Sequence, residues 1–176
     1  MLAINPLPRL SQAISHHKLV LGADHPAVAD TLDDLVRIYS VRGKFAHALL
    51  LSREALEILE AILGKQHEQI AIALEGIAFL QFKQKKYVFA IQNLEKAVTI
   101  LELIFNQEHP FTADFLVSMA QIYQIQGNYP KAKALYSRAL KIYKNLFDSN
   151  HHKVIRILEQ YNTVSTKVKQ KSKKKH

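Results

Sequence analysis

One histidine column constrains this chain more than any other feature. His25, His67, His109 and His151 recur at intervals of 42 residues, with no insertion or deletion between them. The surrounding segments keep step: Leu21-Gly22-Ala23-Asp24-His25-Pro26, Leu63-Gly64-Lys65-Gln66-His67-Glu68, Phe105-Asn106-Gln107-Glu108-His109-Pro110 and Phe147-Asp148-Ser149-Asn150-His151-His152. Further columns share the period. Tyr39 returns as Tyr123, Gly43 as Gly127, and Phe45 as Tyr87 and Tyr129. Ala48 returns as Ala90 and Ala132, while Ala13 returns as Ala55, Ala97 and Ala139. A period of this length is the signature of a stacked repeat array, in which each unit contacts its neighbours in sequence.

Each unit carries two helical stripes. Val28, Leu32, Leu35, Val36 and Tyr39 fall on one face of a first helix. Gly43 follows, a residue that readily takes the left-handed conformation ending a helix. Phe45, Ala48, Ser52, Ala55, Leu56, Leu59 and Leu63 form the second stripe. Pro26 and Pro110 suit the first turn of a helix, where no backbone N–H is required. The alanines mark places where two helices approach closely, and one pair alone cannot bury its apolar face, so stacking must do it. Five glycines and five prolines are too few for a chain built of turns and short strands, and without cysteine there is no disulfide framework or thiolate metal site.

The pattern Leu-x-x-Leu-Val-x-Ile-Tyr-x-x-x-Gly-x-Phe-x-x-Ala, then Ala-Leu-x-Ile and Leu-Gly-x-x-His-Pro, resembles the tetratricopeptide repeat. More narrowly it resembles the 42-residue form found in kinesin light chains, over about residues 10–165. The resemblance implies an all-α fold, a right-handed α-α superhelix with three full helix pairs flanked by half-repeats. It also implies an adaptor that binds a protein or peptide partner on the concave surface of its first helices. Carried over column by column, that surface comprises Asp30, Asp33, Arg37, Ser40 and Val41, then Ile72, Glu75, Phe79, Phe82 and Lys83, then Asp114, Val117, Gln121, Gln124 and Ile125. One column that is usually Asn in kinesin light chains reads Asp33, Glu75, Val117 and Glu159 here, so the ladder of amides that would bond a peptide backbone is missing. Carboxylates along a groove with Phe79 and Phe82 near its centre suit a peptide with an aromatic or aliphatic anchor flanked by basic residues. Alternatively, Asp33 and Glu75 are solvated surface charges and the two phenylalanines belong to the core, since Ala78, Phe79, Leu80 and Phe82 cannot all face one way.

The expected organisation is a half-repeat helix over residues 1–20, repeats over 21–62, 63–104 and 105–146, a solvating helix over 147–168 and a disordered basic tail over 169–176. Pro6 and Pro8 bar the first helix from starting earlier. In the last helix Val154, Leu158, Tyr161 and Val168 continue the first-helix stripe, and the column of Val36, Ala78 and Ala120 becomes Asn162. The bare N-terminal half-repeat is either a short cap, an apolar face for homodimer formation or the remnant of a longer array, the last making this chain a regulatory segment of a larger repeat protein.

No P-loop, nucleophile elbow, dinucleotide-binding glycines or HExxH is present, so no catalytic residue, cofactor or enzyme activity is expected. The adjacent pairs His16-His17 and His151-His152 diverge by about 100° on a helix and chelate one ion poorly, and no metal is expected. The net charge of +9 is unevenly placed. Residues 1–63 hold six Lys/Arg and seven Asp/Glu, whereas residues 64–176 hold eighteen and eight. Lys167, Lys169, Lys171, Lys173, Lys174 and Lys175 form a block that either solubilises the chain or tethers it to an anionic surface, nucleic acid or membrane. No aromatic residue lies among them to stack bases. The chain lacks a secretory leader pattern and any run near the roughly 18 apolar residues of a membrane span, and a cytoplasmic location is expected.

Overall fold

The computed structural model describes residues 7–105 and 108–173, which form eight helices. They are α1 (Leu7–Leu21), α2 (Pro26–Val41), α3 (Phe45–Leu63), α4 (Glu68–Lys83), α5 (Tyr87–Phe105), α6 (Pro110–Ile125), α7 (Tyr129–Leu146) and α8 (His152–Lys173). Two compact units, residues 1–93 and 94–176, divide within α5.

The histidine column turns out to be a capping device. His25, His67 and His109 are the N-caps of α2, α4 and α6. In each, ring Nδ1 accepts from the backbone N–H two residues on, that of Ala27 at 3.2 Å, Gln69 at 3.2 Å and Phe111 at 3.3 Å. His151 does the same for Lys153 at 3.2 Å as α8 begins. The ring thus satisfies one of the four N–H groups that a helix start leaves without an intrahelical acceptor. Phe105 and Phe147 stack on the His109 and His151 rings at 4.2 and 4.1 Å, steadying the caps at the two later linkers.

The same closing turn ends α2, α4 and α6. Gly43, Lys85 and Gly127 take φ of 70°, 61° and 72°. The next residue's N–H reaches back to the carbonyls of Tyr39, Gln81 and Tyr123 at 2.9, 2.8 and 2.8 Å. This is the Schellman arrangement, and the middle repeat achieves it with lysine in the glycine place.

In the first unit, α1, α2, α3 and α4 pack as consecutive neighbours. Val28, Ala29, Leu32, Ala55 and Ile58 form one cluster, joined by Ile14, Leu51 and Leu59. Ala48, Leu49, Ile77 and Leu80 form another with Val36, Tyr39, Phe45 and Leu56. In the second unit α6 packs on α7 and α7 on α8. Tyr136 and Tyr143 are fully buried there, among Leu116, Ile157 and Val164. Ala48, Ala90, Ala132, Ala55, Ala97 and Ala139 are all buried, as close helix approach demands.

Several expectations change at the ends. Pro8 does not bar α1; it lies within its first turn, where a missing N–H costs nothing. Leu19, Val20 and Leu21 near the end of α1 are exposed. Along α8 the core positions are Val154, Ile157 and Val164, while Leu158 is 38% exposed and Tyr161 half-buried. Leu158 occupies the column of Leu32 and Leu116, which are buried against following helices, and among the described residues no helix follows α8. The helix also runs past residue 168 to Lys173, so Lys169 and Lys171 are helical and not part of a disordered tail. Lys174, Lys175 and His176 lie outside the described residues, as does the side chain of Lys173.

Candidate partner-binding groove

In the first unit, α2, α3 and α4 enclose an open groove of about 400 Å³. Asp30, Asp33 and Val36 line it from α2, and Ile72, Glu75 and Gly76 from α4. Its floor is supplied by Ser52, Ala55 and Leu59 of α3. The carboxylates are here because α2 and α4 turn the same register position toward the groove: Asp33 and Glu75 stand 42 residues apart.

Asp33 is exposed, yet partial desolvation at the groove wall first, and the neighbouring Asp30 and Asp34 carboxylates second, hold its carboxyl above the ordinary carboxylate range. Raised in this way, its ionisation weakens the fold as pH climbs from the ordinary value through the raised one. Asp34 is itself paired with Arg37 at 2.8 Å. A cation entering the groove would therefore relieve repulsion that the protein leaves in place between Asp30 and Asp33.

The structure gathers Asp30, Asp33, Ile72 and Glu75 at one place. Phe79 stands one turn beyond Glu75, 46% exposed, with the Lys83 ammonium 5.1 Å above its ring. Ala78 and Leu80 take the core positions beside it, which resolves the crowding on α4. Phe82 is half-buried against the Tyr87 ring at 5.9 Å. Ser40 gives its hydroxyl to the Val36 carbonyl at 2.7 Å, and Arg37 is occupied by Asp34. Val41 lies exposed at the end of α2 and outside the groove lining.

In the second unit the equivalent columns are spent on structure. Val117 is only 6% exposed and cannot serve as a contact, which corrects its assignment to the surface. In the same column Asp33 and Glu159 are exposed and Glu75 is half-shielded, whereas an apolar side chain there gains by packing inward. Asp114 accepts from the Tyr143 hydroxyl and pairs with Lys153. Gln124 accepts from the Tyr136 hydroxyl at 3.0 Å. Gln121 and Ile125 remain exposed.

Gly76 is the groove residue that column matching overlooked. It sits in mid-helix, where glycine costs about 1 kcal/mol relative to alanine. A Cβ built there would meet nothing within 4 Å, so the packing of the chain itself does not require it. A lone glycine inside a helical stripe was the available signal.

Among the described residues, no group of three or more His, Asp or Glu side chains could hold a metal ion. No helix there is long and apolar enough to cross a membrane.

Comparison with known families agrees with the caps, the paired helices and the repeat length. Tetratricopeptide-repeat profiles match residues 28–69, 69–145 and 111–161. The chain is a tetratricopeptide-repeat protein. As such it is a protein-interaction repeat module with the all-α superhelical fold of that family. No curated protein matches it. Among solved structures, it resembles BtubC (BKLC) of P. vanneervenii, at 16% identity and TM-score 0.74, over 82% of this chain and 58% of that one. The chain thus spans less than two thirds of that neighbour's length. It also resembles a kinesin light chain-like protein of nearly identical repeats from Podosopora anserina, at 20% identity and TM-score 0.79, over 95% of this chain and 79% of that one. The tetratricopeptide domain of Sgt2 from Aspergillus fumigatus aligns at 14% identity and TM-score 0.59, over 82% of each chain. At these identities the likeness concerns fold alone.

Proposed function

We propose that this tetratricopeptide-repeat protein is a cytoplasmic adaptor, without catalytic activity, whose first-unit groove holds an extended segment of a partner protein. A lysine or arginine of that segment lies between Asp30, Asp33 and Glu75. A bulky apolar side chain next to it covers Ile72 and reaches toward Phe79. The observation that carries this reading is the groove itself: an open cavity of about 400 Å³ lined by three carboxylates, with Ile72 beside them. Charge complementarity of this kind sets orientation and discriminates between partners, while the apolar anchor supplies most of the affinity. The raised Asp33 carboxyl adds a signature. A cationic partner pairs with the ionised form, so its affinity rises as pH climbs through the raised range.

Selection from a random peptide display library tests the proposal. Wild-type chain should enrich peptides in which Arg or Lys adjoins Phe, Leu or Ile. A variant carrying Asp33→Asn and Glu75→Gln should lose them. Enrichment of peptides that bind both proteins equally, or of acidic peptides, would remove the groove from consideration.

A further inference from the structure

The second unit carries a charged surface that the groove reading leaves unused. From residue 115 to residue 147 there is no Asp or Glu, while Lys131, Lys133, Arg138, Lys141 and Lys144 all fall on α7. On α8, Glu159 is the one acid among Lys153, Arg156, Lys167, Lys169, Lys171 and Lys173. Two of these cations are answered by carboxylates, Arg138 by Glu102 and Lys153 by Asp114.

At the end of the unit near Gly127, lysines meet aromatic rings instead. The Lys171 ammonium stands 4.8 Å from the centre of the Tyr129 ring and donates to the Gly127 carbonyl at 2.9 Å. Lys131 lies 5.1 Å from the Tyr123 ring, and Lys133 lies 5.6 Å from the Tyr161 ring. All three tyrosines are half-buried. The rings come from α6, α7 and α8: Lys131 reaches toward α6 and Lys133 toward α8, on opposite sides of the start of α7, so the pairs lie along a path across that helix. The lysine block lacks aromatics in sequence, and in the fold its Lys171 gains the Tyr129 ring of α7. Lys171 and Tyr161 are ten residues apart on α8, about 15 Å along its axis.

We propose that this Lys–Tyr surface binds single-stranded nucleic acid. The ammonium groups take the phosphates, and bases lie against the Tyr129, Tyr123 and Tyr161 rings as the lysines move from ring to phosphate. Phosphate contacts supply sequence-independent affinity that salt weakens, and base–aromatic stacking supplies the preference for single strands. A membrane surface or a duplex would use the charges and leave the rings idle.

Fluorescence anisotropy with a labelled oligouridylate of about 15 nucleotides tests this against a duplex of the same length and against vesicles of phosphatidylcholine with phosphatidylserine. The oligouridylate should bind tightest. Three phosphate contacts predict a salt slope near −2, hence about a 20-fold loss between 50 and 200 mM salt. Lys133→Gln with Lys171→Gln should flatten that slope to about −0.7. Tyr129→Leu with Tyr161→Leu should weaken binding at least about tenfold with the slope retained. Because the tyrosine variant removes half-buried rings, its melting curve is compared with that of the lysine variant, which changes one exposed and one half-buried side chain. Absence of binding at low salt overturns the proposal. So does duplex or vesicle binding as tight as that of the oligouridylate, or indifference to both variants.

Discussion

The Lys153 ammonium lies 2.9 Å from a carboxylate oxygen of Asp114, joining α8 to α6. Asp114 also accepts from the buried Tyr143 hydroxyl, whose ionisation is pushed far up, first by burial and then by that hydrogen bond. Both ends of the ion pair are about two-thirds covered, so removing one leaves a partly buried charge. Lys153→Met should lower unfolding free energy in urea by about 1 kcal/mol. The double variant with Asp114→Asn should lose less than the sum of the two single losses. Strict additivity would show that the pair contributes nothing.

Lys85 occupies the left-handed turn that Gly43 and Gly127 occupy in the flanking repeats. A side chain in that conformation costs roughly 1–2 kcal/mol, part of which glycine gives back through its looser unfolded state. Lys85→Gly should therefore stabilise the chain by about 0.5–1 kcal/mol, read as a rise in urea midpoint. Gly127→Ala, at the same place in the next repeat, should move it the other way.

Thr112 fills a core column held by Val28, Ile70 and Val154 in the other units. It is fully buried, and among the described residues its hydroxyl has no hydrogen-bond partner. A buried hydroxyl without a partner costs about 1–3 kcal/mol. Thr112→Val keeps the shape and removes the cost, so the melting temperature should rise. A fall would mean that the hydroxyl is satisfied in solution.

Gly76→Ala separates stability from binding. The added methyl meets nothing within 4 Å and restores helix propensity, worth about 1 kcal/mol. It also narrows the groove beside Glu75. The variant should melt higher yet bind a groove peptide more weakly. Higher stability with unchanged affinity would place the peptide elsewhere.

The repeat was legible because its causes are periodic. A cap is needed at every first helix, and His25, His67, His109 and His151 show it. Close helix approach is needed within every pair, and Ala48, Ala90 and Ala132 show that. What column matching missed is aperiodic. Val117 shares a column with Asp33 and Glu75, but its chemistry turns it inward. Asp114 and Gln124 look available in sequence and are held by Lys153 and Tyr136. The meetings of Lys171 with Tyr129 and of Lys133 with Tyr161 join residues 42 and 28 positions apart, which no local pattern announces.

The central claim is that Asp33 and Glu75 receive a cationic side chain from a partner segment. Isothermal titration of a display-selected peptide into wild-type chain and into the Asp33→Asn, Glu75→Gln variant tests it most directly. The account predicts at least about tenfold weaker binding by the variant, in line with the cost of truncating one side of a desolvated charge pair. It also predicts wild-type affinity that rises with pH through the Asp33 titration. Equal affinity for the two proteins at every pH would contradict it.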